Sequence, residues 1–261
     1  MPINKTELIV LKRTRIQDSS LFLVCLTRER GKIPLVAKAA TRPGSSMAEA
    51  LQYFNVADVI FYENEKGSAE YISKAESKET FHHIVKDELK YGYASAAMEF
   101  VNLFLPEGET NLHVYLILKR YLRLLNDSTQ KNFRREILHF WYLLCIFSGY
   151  APELEMCTEC GKMISTEKLM FSPESGGVIC AKCAKDQVVV TLDISTVRAL
   201  KLLAGTNISD SRKMVMSQAQ IEQVRDLLVA QTEYHIGRRV DLRSFDFLRK
   251  LRFFERDTTP T

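Results

Sequence analysis

The sequence predicts a multidomain α+β protein: a small closed five-stranded β-barrel, then an α-helical domain with a four-cysteine ribbon inserted in it. Three observations carry that expectation. Apolar residues alternate with a period of two in short runs over residues 1–79, and from residue 80 the period changes to about 3.6. Clusters of Gly, Pro, Ser and Asn punctuate the runs. Four of the six cysteines stand as two C-x-x-C pairs, Cys157/Cys160 and Cys180/Cys183, with nineteen residues between the pairs.

The strands come first. Thr6–Leu11 is a short apolar run, and Leu21–Thr27 is a second, bounded by Asp18-Ser19-Ser20. Arg28–Lys32 turns the chain into Ile33–Ala37, and Thr41-Arg42-Pro43-Gly44 reads as a loop. Leu51–Tyr62, rich in aromatic and β-branched residues, is expected as a long fourth strand. Asn64–Gly67 turns it into a fifth at Ala69–Ala75. Five strands with no long helix between them suit a closed barrel, which leaves no free edges.

Helices follow at Phe81–Leu105, Leu112–Leu125 and Phe133–Phe147, and after the ribbon at Leu192–Leu203 and Gln218–Tyr234. Asp193 and Ser195 are candidate caps for the fourth of these. The expected division is therefore 1–79 for the barrel, 80–252 for the helical domain with the ribbon at 151–187, and 253–261 for a tail.

The cysteine spacing matches a four-thiolate zinc site. Two intervening residues let one tight turn aim both sulfurs at a point about 2.3 Å away, and a second turn completes a tetrahedron. Gly161, after the second cysteine, permits the positive φ such a turn needs, whereas Ala184 holds the equivalent place in the second pair. Ser172-Pro173 and Ser175-Gly176-Gly177 read as turns of a hairpin between the pairs. Two disulfides, or a redox or iron–sulfur site, are the competing readings. A catalytic zinc is disfavoured, because such sites keep an open position and mix in His or carboxylate, and no His lies between Ala151 and Lys185.

Composition bounds the rest. No apolar run reaches the roughly 18 residues that span a membrane, and Met1–Lys5 leads directly into a strand rather than a signal peptide. Cys25 and Cys145 sit in apolar stretches and read as core residues, so a cytoplasmic protein is expected. The net charge is +4, and its distribution matters more than its size. Between Lys5 and Arg42 nine basic residues face three acids, Glu7, Asp18 and Glu29. Residues 58–79 lean acidic. This makes Lys12, Arg13, Arg15, Arg28, Arg30, Lys32, Lys38 and Arg42 candidates for a groove that tracks a phosphate backbone, against the alternative of a solvated face. Tyr53, Phe54 and Tyr62 are available to stack bases or to fill the core.

A second basic cluster, Arg238, Arg239, Arg249 and Arg252, is interleaved with Phe245, Phe247, Phe253 and Phe254. It reads either as a docking surface for an acidic, apolar peptide or as a C-terminal helix with packed rings and solvated arginines. The five histidines show no HExxH or comparable metal spacing, and the phosphate-loop, dinucleotide and G-x-S-x-G motifs are missing. No enzymatic activity is expected.

Taken together, Gly31–Lys38, Thr41–Ser46, the strand after Leu51-Gln52, the ribbon with its C-x-x-C-G and second C-x-x-C, Leu200-Lys201, His235–Arg239 and Ser244–Leu248 resemble the bacterial RecO family of DNA-repair recombination mediators. The resemblance runs over nearly the whole chain. It implies an N-terminal OB-fold and a helical C-terminal domain, binding of single- and double-stranded DNA, and annealing of complementary strands, while the one structural zinc is expected from the cysteine spacing. It also implies contact with the acidic C-terminal tail of single-strand-binding protein and with RecR, so that RecA is loaded indirectly, in the bacterial cytoplasm at the nucleoid. The alternative is a zinc-ribbon protein-interaction adaptor with incidental nucleic-acid affinity.

Overall fold

In the computed structural model, which describes residues 3–16, 19–62, 70–130, 132–164, 166–185 and 187–251, five strands of the N-terminal part close on themselves. They are β1 (Ile3–Ile16), β2 (Ser20–Thr27), β3 (Gly31–Ala37), β4 (Val56–Tyr62) and β5 (Glu70–Glu79), in the barrel order β1-β2-β3-β5-β4. Neighbours are antiparallel except β3 and β5, which run parallel over Leu35–Ala37. This is the OB-like arrangement. Period-two alternation places Leu8, Val10, Leu23, Cys25, Leu35, Val59 and Phe61 inside. A short helix, α1 (Met47–Ala50), packs onto the same interior through Met47, Ala50 and Leu51. The expected turn at Asn64–Gly67 and the tail at 253–261 lie outside the described residues.

Local expectations change in this part of the chain, and β1 is longer than the Thr6–Leu11 run. The fourth strand begins at Val56, not Leu51. Phe54 takes φ of 73°, which breaks extended backbone, and its ring is buried. The helix expected over Phe81–Leu105 is two helices, α2 (His82–Lys86) and α3 (Glu88–Phe104). Asp87 between them is extended, and its carboxylate accepts from the N–H of Leu89 (2.9 Å) and Lys90 (3.0 Å), the free amides of a new N-terminus. Helix α4 (Leu112–Asp127) follows.

Packing divides the chain into two compact units, residues 1–129 and 130–261. The residue 79/80 boundary marks the change from strands to helices, while α2–α4 pack in the barrel's unit. Glu7 shows how. It points out of β1, is buried, and is met by Tyr115 Oη (2.5 Å) and Lys119 Nζ (2.8 Å) from α4 and by Lys78 Nζ (2.6 Å) from β5. The turn before β3 is met by the loop after α3, where Gly108 N–H donates to the Lys32 carbonyl at 2.8 Å. Gly31 holds φ of 68° there, and a Cβ on it would lie 1.9 Å from the Glu109 carbonyl oxygen.

The second unit contains α5 (Arg134–Phe147), then a sheet of β6 (Lys168–Ser172), β7 (Gly177–Ile179) and β8 (Val190–Asp193) in the order β7-β6-β8. Helix α6 (Ile194–Gly205), a 3-10 turn at Ile208–Lys213, α7 (Gln218–Ile236) and α8 (Arg243–Lys250) complete it. Asp193 precedes α6 as expected but does not cap it: its carboxylate accepts from Gln223 Nε2 at 2.7 Å. Ser217 and Gln220 form a reciprocal capping box on α7. Trp141 is buried and donates to Thr232 Oγ1 at 2.9 Å, joining α5 to α7. Among the described residues no helix is long and apolar enough to cross a membrane.

Candidate metal centre and nucleic-acid interface

The four cysteines expected as ligands come together. The Sγ atoms of Cys157, Cys160, Cys180 and Cys183 all lie within 4.8 Å of one another. Cys160 and Cys180 are 3.9 Å apart. Four sulfurs at about 2.3 Å from one ion would be separated by about 3.8 Å, so the cradle fits a tetrahedral, all-thiolate metal. Each pair sits on its own turn. In the first, Gly161 N–H donates to Cys157 O (2.8 Å), and Gly161 has the positive φ expected of it, 69°. In the second, Ala184 N–H donates to Cys180 O (3.0 Å) without a left-handed residue, which explains why alanine suffices. Burial pushes the Cys157 thiol up, but the backbone N–H groups of Cys180, Cys160 and Glu159 outweigh it and hold it at about 6. The hairpin between the pairs is β6–β7, and Gly177 has no room for a side chain: a Cβ would lie 2.7 Å from Glu153 and Thr158. Cys25 and Cys145 are buried elsewhere, and burial alone raises the Cys25 thiol.

The basic candidates of the barrel separate. Lys12, Arg15, Arg28, Lys38 and Arg42 are exposed. Arg13 is half-buried, with Nη1 3.3 Å from Gln52 Oε1. Arg30 is half-buried, paired with Glu70 at 3.3 Å and set over the Phe61 ring at 5.4 Å. Lys32 departs from expectation. It is buried, and its ammonium donates to the carbonyl of Asn102 at 2.8 Å, so it is committed inside the unit rather than offered to a phosphate. Burial lowers its pKa.

The acids of residues 58–79 are largely matched by cations: Glu70 by Arg30, Glu76 by Lys74, Glu79 by Lys119 and Arg123, and Asp58 by Lys78. Of the cations counted in the first three strands only Arg30 enters these pairs; Lys74, Lys78, Lys119 and Arg123 come from elsewhere in the chain, so most of the basic excess is not cancelled by them.

Strand register reveals a row the sequence reading missed. Thr14 pairs with Phe22, Phe22 with Val36, and Val36 with Tyr71. Paired residues share a face, and here it is the outer one, where Phe22, Val36 and Tyr71 are half-exposed. Lys38 Nζ sits 4.3 Å from the Tyr71 ring centroid, and Lys12 pairs with Val24 on the same face. The signal was present in β2: Leu21, Leu23 and Cys25 fill the core, so an apolar Phe22 and Val24 on the alternate positions had no core left to fill. Of the aromatic residues singled out from sequence, Phe54 is buried, while Tyr53 and Tyr62 are half-buried.

In the second unit Arg238 and Arg239 are exposed just beyond the left-handed Gly237 that ends α7. Arg249 is exposed and paired with Asp246 on α8. Phe245 packs against Trp141 at 6.3 Å, whereas Phe247 is exposed. Arg252, Phe253 and Phe254 lie outside the described residues.

Fold and site together define a class: an OB-like barrel joined to a helical region that carries a four-thiolate cradle. Residues 1–81 match the family described as Recombination protein O N terminal, and residues 85–244 the one described as Recombination protein O C terminal. The chain belongs to the RecO family, and its role lies in DNA repair and recombination. It is 27% identical over 249 residues to the DNA repair protein RecO of Alkaliphilus metalliredigens, covering 95% of this chain and 99% of that protein. The Thermoanaerobacter sp. protein of the same description is 29% identical, with 96% and 99% covered. That of Caldanaerobacter subterraneus subsp. tengcongensis is 33% identical, with 69% and 70% covered.

Proposed function

We propose that the protein is a non-catalytic mediator that binds single- and double-stranded DNA, anneals complementary strands and helps load RecA recombinase onto coated single strands. The observation that carries this reading is the outer row Phe22–Val36–Tyr71 on an OB-like barrel, flanked by Lys12 and Lys38. Aromatic and apolar side chains take base faces, cations take phosphates, and neither demands a particular sequence. A surface of this kind suits a protein that must act on any strand. OB-folds commonly use the face of strands 2 and 3 in this way.

The metal is zinc, bound by Cys157, Cys160, Cys180 and Cys183 with no open position, so its contribution is to folding rather than to chemistry. The partners are the acidic C-terminal tail of single-strand-binding protein and RecR. Exposed Arg238 and Arg239 after α7, and Arg249 and Phe247 of α8, supply guanidinium groups for carboxylates and a ring for apolar side chains. The site of action is the bacterial cytoplasm, at the nucleoid.

The second reading, an interaction adaptor, draws on Met156 and Met163, which are exposed on the first cysteine turn. An annealing assay with complementary oligonucleotides, with and without single-strand-binding protein, separates the two. Faster annealing that weakens with salt and survives coating of the strands supports the mediator. No acceleration at low salt, with binding of a protein partner through the ribbon, would favour the adaptor.

A further inference from the structure

A second aromatic group lies at the C-terminal end of β1, beside the Arg13 backbone rather than on the outer face that carries Thr14 and Phe22. Beyond Ile9, β1 loses β4 as a neighbour and, among the described residues, pairs only with β2, so Lys12–Ile16 has one edge with no described strand beside it. The loop before β4 reaches that edge. Tyr53 Oη accepts from the Arg13 N–H at 3.0 Å and donates to the Arg13 carbonyl at 3.1 Å, and Gln52 holds the Arg13 guanidinium. The next residue, Phe54, is the bulky left-handed residue, with φ of 73°. Such a conformation is sparsely populated, persists only where its surroundings impose it, and concentrates at functional sites.

Its consequence here is an aromatic triplet. The buried Phe54 ring lies 6.1 Å from Tyr53 and 5.1 Å, edge-on, from Tyr91 of α3. Tyr91 is 37% exposed, a large ring held in place but open to solvent. Burial and then the proximity of Tyr53 raise its pKa, in keeping with two phenols close together. Arg15, two residues on and so on the same face of β1 as Arg13, is exposed. Glu88 stands one turn before Tyr91 on α3, which disfavours a phosphate over that ring and leaves a neutral base as the fitting occupant.

We infer that Tyr53 and Tyr91, set beside Arg13 and Arg15, form a stacking subsite for an unstacked base of single-stranded DNA at the end of the barrel, separate from its outer face. The inference rests on the DNA-binding reading above. It extends the path of the strand from the β2–β3 face around the tip of β1, with the arginines on phosphates and the tyrosines on a base.

The test measures binding of the full chain to oligothymidylate at several salt concentrations, together with photocrosslinking of the same oligonucleotide carrying 5-iodouracil. Tyr91→Ala should weaken binding about tenfold, in the range of one lost base stack, with the salt slope unchanged because no phosphate contact is lost. Tyr91→Phe should bind like the parent. Tyr91→Leu keeps an apolar contact for Phe54 and should match Tyr91→Ala, which separates lost stacking from lost folding. The crosslink should map to Tyr53 or Tyr91. If the parent binds in a salt-dependent way but Tyr91→Leu binds equally well, or the crosslink maps only to other residues, the subsite is overturned and the DNA reading stands. If the parent shows no salt-dependent binding of single strands, both fail. Binding of an acidic peptide at these tyrosines with no competition from DNA would also overturn the subsite.

Discussion

Lys119 Nζ of α4 lies 2.8 Å from a carboxylate oxygen of Glu7 on β1, closing a buried ion pair between barrel and helix. The same ammonium is 2.8 Å from Glu79, which Arg123 also holds. Burial alone would raise the Glu7 carboxyl. Lys119, Lys78 and Tyr115 overcome that and bring it down to about 2. A carboxyl with a lowered folded pKa stabilises the fold above its unfolded value of 4.5, and that stability is lost as pH falls from there toward 2. Melting temperature should therefore drop progressively as pH falls from 4.5 toward 2. Glu7→Gln should cost on the order of 3 kcal/mol at neutral pH, because it removes the buried carboxylate that Lys119 and Lys78 share and leaves Lys119 only Glu79, and should flatten the acid dependence. An unchanged acid profile in the variant would show that other carboxylates set it.

Gly31 offers a sharper steric test. Any side chain there meets the Glu109 carbonyl and must also hold φ of 68°. Gly31→Ala should destabilise the chain by about 2 kcal/mol or more. A melting temperature within a degree or so of the parent would mean that the loop at residues 107–110 yields freely.

The metal cradle predicts a clear contrast between cysteines. Cys157→Ser should lower bound zinc well below one per chain and reduce thermal stability, since a closed structural site contributes its binding free energy to folding. Cys145→Ser, in a fully buried thiol away from the cluster, should retain the metal. Elemental analysis and melting curves of the purified variants decide it, and zinc retained by Cys157→Ser would remove that thiol from the ligand set.

The parts legible in the sequence were those set by local spacing. The C-x-x-C pairs fixed the cradle because a tight turn determines where two sulfurs point, and period-two runs gave the barrel because alternation determines which side chains face inward. The misses were tertiary. Lys32 reads as one more cation in a basic run, and only the approach of α3 shows its ammonium against Asn102. Asp87 lies inside a continuous apolar period, so its role as a cap is visible only once the chain turns there. Phe54 reads as strand because the residues around it are aromatic and β-branched, and only the folded chain shows its left-handed backbone and its ring edge-on to Tyr91. Phe22 and Tyr71 lie 49 residues apart in sequence, and strand register alone makes them part of one row.

The last prediction distinguishes cations that meet DNA from those that hold the fold. Lys12 and Lys38 are exposed on the face of the aromatic row, and Arg15 is exposed at the β1 tip. Reversing all three to Glu should weaken binding to oligonucleotides of any sequence. It should also make the salt dependence shallower by about 0.7 in log–log slope for each single-strand phosphate contact removed. Thermal stability should change little, because exposed charges of this kind contribute little to folding. Lys32→Gln should do the reverse. It removes a buried ammonium from the Asn102 carbonyl, so it should lower the melting temperature and leave the salt slope of the folded protein intact. Binding titrations at four or more salt concentrations, paired with melts of both variants, give the two readouts independently. A shallower slope for Lys32→Gln, with an unchanged slope for the triple reversal, would place the phosphate path on the opposite side of the barrel.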